Sequence, residues 1–95
     1  MFEIKLMGAI SKDWGGKKRI EIDKFEDDKI HLKDLFIEIR KLEKEKFNIY
    51  FDGDLTPKRG TIIIINGIDY NVLGGINAEI SSVDEIILVP TISGG

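Results

Sequence analysis

Hydrophobic and polar residues alternate from the start of the chain. Phe2, Ile4, Leu6 and Gly8 fall on one side, and Glu3, Lys5, Met7 and Ala9 on the other. That period predicts a strand over residues 2–10 with one strongly apolar face. Asp13 and Gly15-Gly16 suit a loop closing a hairpin over 11–16. Ile20 and Ile22 then alternate with Arg19, Glu21 and Asp23 in a second, half-buried strand, and residues 25–29 read as an acidic connection. The period changes at residue 32. Leu32, Leu35, Phe36, Ile39 and Leu42 form one apolar stripe at helical spacing, which predicts a helix over 32–46. Ile37 lies about 140° from Leu32 around that helix, off the stripe at a position open to solvent.

Residues 47–60 read as a loop or short strand, punctuated by Asp52-Gly53-Asp54 and Pro57. Thr61 to Ile65 is a continuous apolar run, the pattern of a strand covered on both faces. Asn66-Gly67 is a tight-turn signal. A short return strand over 68–72 ends at Leu73-Gly74-Gly75, and a last strand spans 85–89. One helix covers only one face of a four- or five-stranded sheet. The expected fold class is therefore α+β, two layers, a mixed sheet with the main helix packed on one face and the other face largely open. Residues 1–90 make the domain, and 91–95 a flexible tail ending in Gly-Gly.

Composition narrows the class. The chain has 95 residues, 42% hydrophobic and 33% charged, which suits one small globular domain. No apolar run approaches the roughly 20 residues of a membrane helix. The first ten residues also lack the basic-then-apolar layout of a signal peptide. The absence of cysteine removes disulfides, thiolate metal sites and a cysteine nucleophile, and it points to the cytoplasm. A net charge of −3 argues against direct nucleic-acid binding, and nothing suggests a membrane partner. A monomer is the default for so small and acidic a chain.

The charge is unevenly spread. Residues 1–59 hold all 14 Lys and Arg against 13 acids, whereas residues 60–95 hold four acids and no base. Those four, Asp69, Glu79, Asp84 and Glu85, either solvate turns or favour a partner with a basic rim.

Candidate chemistry is sparse. The single histidine, His31, sits just before the helix, with Asp34 three residues on in a capping-box arrangement. No nucleophile or orienting group accompanies it in a triad spacing. Asp23, Glu26, Asp27 and Asp28, and separately Asp52 and Asp54, lack the period of a calcium loop and read as solvated turns. No metal site and no bound cofactor are expected, and nothing supports an enzyme. One feature stands apart, the terminal Gly94-Gly95. Two residues without Cβ pass through a narrow channel and adopt whatever φ it imposes. The α-carboxylate of Gly95 is then a handle for an enzyme that activates it.

The stretch from Leu55 to Gly95 resembles the C-terminal half of the ubiquitin-related modifier and MoaD/ThiS sulfur carriers, which include archaeal small modifier proteins. The matching elements are the turn at Arg59-Gly60, the strand IIIIN, the segment NGIDYNVLGG and the end VDEIILVPTISGG. The element order of residues 2–46 matches too. The resemblance implies a ubiquitin-like β-grasp fold. It implies that a ubiquitin-activating-type (MoeB/ThiF-like) enzyme uses ATP to adenylate Gly95. Sulfur transfer then makes a thiocarboxylate, used for tRNA thiolation or for an amide link to a target-protein lysine. In the alternative branch the chain is a MoaD-like small subunit of molybdopterin synthase and serves the molybdopterin precursor together with a large subunit. The stretch between Lys46 and Thr61, and the segment DYNVLGG, favour the modifier branch. By strand position, Met7, Ile64 and Val89 on the open face are the expected contacts with the activating enzyme. A plain binding module with an incidental Gly-Gly is the third reading.

Overall fold

The computed structural model describes residues 1–91. The first strand, β1 (Phe2–Leu6), buries Phe2, Ile4 and Leu6 and leaves Glu3 and Lys5 on the other face, as its alternation requires. It pairs antiparallel with β2 (Arg19–Ile22), Phe2 opposite Ile22 and Ile4 opposite Ile20.

Between these strands the expected loop over 11–16 is largely a helix, α1 (Gly8–Asp13), and the strand stops at Leu6 rather than residue 10. Gly8 takes φ +55°, a left-handed conformation that ends the extended run. Ile10 and Trp14, four residues apart, then both point into the core. Gly15 and Gly16 do close a turn at positive φ, and the Gly16 N–H donates to the Ser11 carbonyl at 2.9 Å.

The connection at 25–29 leads into an unanticipated short strand, β3 (Lys29–His31), directly before the main helix, α2 (Leu32–Leu42). Leu32, Leu35, Phe36 and Ile39 form the buried stripe. The His31 N–H donates to Asp34 Oδ2 at 3.0 Å, so His31 stands at the helix start as the spacing suggested. Two details differ. Leu42 is 65% exposed, while Ile37 is half-buried and packs on the core. The helix breaks at Glu43, whose φ of −140° and ψ of 62° are not helical, and a second helix, α3 (Lys44–Tyr50), follows in what read as the helix end and a loop. The break turns Leu42 outward and delivers Phe47 to the interior. Phe47 stacks on Phe51 with ring centroids 4.2 Å apart, and Phe36 meets Phe51 at 4.8 Å.

Strand β4 (Thr61–Ile65) corrects the expectation of a strand covered on both faces. Ile63 and Ile65 are buried, while Ile62 and Ile64 face outward, half-exposed. Asn66 and Gly67 both take positive φ, as a type I′ hairpin turn requires. The return strand is only β5 (Ile68–Asp69), because two 3₁₀ turns, Tyr70–Leu73 and Gly75–Asn77, follow around left-handed Gly74. Then come β6 (Glu79–Ser81), which pairs with β3 in a separate two-stranded sheet, and β7 (Ile86–Pro90).

The main sheet has the order β2-β1-β7-β4-β5. Its central strand, β7, runs parallel to β1 and antiparallel to β4. The helices cover one face, and between them lies a core that includes Leu6, Leu35, Phe36, Ile63, Ile86 and Leu88. Among the described residues the other face carries no helix, as expected. No helix among the described residues is long and apolar enough to cross a membrane.

Candidate functional site

Strand register decides which side chains meet on the open face. Ile64 is opposite Ile87 and Ile62 is opposite Val89 across β4 and β7. Lys5 is level with Ile87 across β1 and β7. The Met7 N–H donates to the Leu88 carbonyl at 3.1 Å, so the same register continues and sets Met7 beside Val89. The face therefore has two rows. One runs Met7, Val89, Ile62, and the next Lys5, Ile87, Ile64, with Asp69 at its β5 end.

All three patch residues named from the sequence lie on this face. Met7 is 47% exposed, and Ile64 and Val89 are half-buried. Met7 and Val89 share a row, and Ile64 belongs to the neighbouring one. Ile62 and Ile87 complete the surface, and the sequence reading missed them. The available signal was the two-residue period itself, since stepping back by two leads from Val89 to Ile87 and from Ile64 to Ile62. Such a face, apolar at its centre with charged edges, has the make-up of a protein-docking surface.

The rim is built from local pairs. Lys5 Nζ lies 2.9 Å from Glu85 Oε2. The Glu85 N–H donates to Asn66 Oδ1, and Asn66 Nδ2 donates to Asp84 Oδ1, each at 2.9 Å. Asp84 also accepts the Ser81 N–H at 2.7 Å. Burial pushes the Asp84 carboxyl up, but the hydrogen bonds from Ser81 and Asn66 outweigh it and hold the group below its ordinary value. Asp69 accepts the Asn71 N–H at 2.8 Å, and Glu79 lies 3.9 Å from Lys29. Of the two readings offered for the four acids of the last third, turn and pair building describes what they do within the chain.

The acidic clusters do the same. Asp54 Oδ1 accepts the Thr56 hydroxyl at 2.5 Å and its N–H at 3.1 Å, and the hydroxyl bond above all lowers its carboxyl below the ordinary value. Among the described residues no three His, Cys, Asp or Glu side chains gather as a metal site.

The carboxyl end of β7 leads off this face. Pro90 is opposite Thr61, and the Thr91 N–H donates to the Gly60 carbonyl at 2.8 Å. Order thus reaches past the expected strand end at residue 89. The two glycines named as the activated end, Gly94 and Gly95, lie outside the described residues.

A family profile described as Urm1 (Ubiquitin related modifier) matches residues 2–95. A ubiquitin-related modifier 1 homolog of Dictyostelium discoideum is 33% identical over 94 residues, 98% of this chain and 97% of that protein. The crystal structure of SAMP1 from Haloferax volcanii superposes with a TM-score of 0.74 at 19% identity, covering 99% of this chain and 98% of that one. That of the Amycolatopsis orientalis BexX/CysO complex does so at 0.76 and 16%, over the whole of both chains. These likenesses establish the ubiquitin-like β-grasp fold. With the profile spanning nearly every residue, the chain belongs to the ubiquitin-related modifier family, ubiquitin-like modifiers and sulfur carriers that are small carrier proteins and not themselves catalysts.

Proposed function

We propose that Gly95 is the reacting group and that the open sheet face presents it to a ubiquitin-activating-type enzyme. The observation that carries this reading is the continuity of β7. The strand that places Ile87 and Val89 on the open face ends at Pro90, and Gly94-Gly95 follow four and five residues later in the sequence. An enzyme seated on that face has the end of the chain within reach.

The chemistry follows from the carboxylate. A Gly95 oxygen attacks the α-phosphorus of ATP held by the partner, and pyrophosphate leaves. Hydrosulfide supplied by the partner's sulfur donor then forms a C–S bond at the Gly95 carbonyl as the C–O bond to AMP breaks, and loss of its proton leaves a thiocarboxylate. That group supplies sulfur for tRNA thiolation. Alternatively, the activated carbonyl is taken by the amine of a target lysine, with loss of the leaving group and a proton, to give an amide. The family match supports this modifier branch over the role of molybdopterin synthase small subunit. Met7, Ile64 and Val89, with Ile62 and Ile87, are the residues that hold the activating enzyme, because buried apolar anchors carry most interface energy.

The test is the intact mass of protein purified from its host, with alkylation by a thiol reagent. The chain has no cysteine, so any alkylated thiol-type sulfur, as distinct from the Met1 and Met7 thioethers, belongs to a modified end. The expected result is a thiocarboxylate on Gly95, lost on deletion of Gly94-Gly95 while the fold persists. A free carboxylate throughout, with no lysine conjugates, overturns the reading.

A further inference from the structure

The point where the chain leaves the sheet is also where positive charge from its first half collects. A Cβ on Gly8 would stand 3.2 Å from Pro90 Cγ, so α1 begins against the last residue of β7. On the opposite flank, Thr91 is tied to the Gly60 carbonyl. Beside Gly8 opens a groove of about 550 Å³ lined by Lys5, Met7, Gly8, Ser11, Lys18 and Arg19. The hairpin brings this charge here, because the Leu6 N–H donates to the Lys18 carbonyl at 2.8 Å. The lining includes cations and no carboxylate. Lys5 is paired with Glu85, and Arg19 lies 3.7 Å from Glu3 and 3.9 Å from Glu21. Lys18 has no carboxylate partner among the described residues.

We propose that this groove docks an acidic segment of the enzyme that acts on the chain end. The inference rests on the reading of Gly95 as the activated group. An enzyme seated at the end of β7 has β1 next to it and the start of β2 two strands away, about 10 Å, close to the Debye length of about 8 Å. A carboxylate-bearing segment there pairs with Lys18 and the Arg19 fork, and Met7 supplies an adaptable apolar seat beside them. Lys18 thus offers a positive charge with no carboxylate partner among the described residues, and an enzyme with acids, not bases, fits this end.

The test is ATP–pyrophosphate exchange catalysed by the host's own activating enzyme, titrated with the full chain. Lys18→Glu is expected to raise KM about tenfold and leave kcat within about twofold, because a reversed rim charge acts on encounter and not on chemistry. Wild-type KM should rise steeply with salt, and that of the variant much less. Lys18→Arg restores the wild-type value, and Lys29→Glu on the separate small sheet, with the same change in net charge, does not alter it. Equal KM for Lys18→Glu and Lys29→Glu overturns the groove assignment and leaves the activation reading intact. Equal KM together with RNA binding that Lys18→Glu abolishes would assign the groove to a phosphate backbone instead, and also overturns it. No exchange with wild-type protein at any concentration overturns both.

Discussion

Along β4 and β7 the two faces of the main sheet carry nearly the same residues and do different things. Along β4 the chain reads isoleucine four times, yet Ile63 and Ile65 are sealed under the helices while Ile62 and Ile64 stand half-exposed. The same holds along β7, where Ile86 and Leu88 are buried and Ile87 and Val89 are not. Identical chemistry therefore splits into stability on one face and available binding surface on the other. What separates them is whether a helix lies above.

Substitution should split the faces in the same way. The largest expected effect is on the covered side. Leu88→Ala should cost about 3 kcal/mol in denaturant unfolding through the cavity it leaves. Ile87→Ala, next to it, should cost about 1 kcal/mol or less, since much of its side chain is already in water. Equal losses would mean that the open face is packed in solution.

Charge on the open face should invert that order. Val89→Asp is expected to move the unfolding midpoint only slightly, yet to raise KM for activation about tenfold or more by placing a carboxylate among the apolar anchors. Unchanged activation kinetics would remove the docking role from this face.

A smaller effect concerns the rim. Asp84 is held below its ordinary pKa in the folded chain, so its contribution is present above the unfolded carboxylate value and is lost as pH falls through the folded one. Asp84→Asn should lower stability near neutral pH and flatten the acid limb of the stability curve, read by thermal unfolding from neutral to acid pH.

The smallest lies between the ends of α1 and α3. Burial first, and then the hydrogen bond the Tyr50 hydroxyl donates to Asp13, push the Tyr50 phenol from 10.0 up to about 12. The folded state thus holds this proton more tightly than the unfolded chain. The stability it adds is present below pH 10 and declines toward about 12. Tyr50→Phe should remove that alkaline decline and leave the open face untouched, as judged by unchanged activation kinetics.

Legibility followed the range of the interactions involved. Strands β1, β2, β4 and β7 and helix α2 were readable because each announces itself by a period within a few residues. The strand β3 was not, because only three residues form it and its partner β6 is some fifty residues away. Helix α1 was mistaken for strand and loop because Gly8 continues the alternation formally while its positive φ ends it physically. The stripe through Leu42 was extrapolated across Glu43, where Phe47 and not Leu42 finds a place in the core. In the patch, Met7, Ile64 and Val89 were named by strand position; Ile62 and Ile87 were within reach of the two-residue period, but only the pairing register sets Ile62 beside Val89 and Ile87 beside Ile64.

By itself the sequence determined the fold class, the open face, the acidic last third and the terminal Gly-Gly with its family resemblance, because all of these reside in local period, composition or order along the chain. Only the tertiary structure decided which isoleucines are core and which are surface. It alone set Met7 beside Val89, and it alone brought Lys18 and Arg19 alongside the end of β1, the strand next to β7. The physical reason is that burial and electrostatic potential are properties of what lies nearby in space. A hairpin closed at one end of the chain supplies the charge at the exit of the other.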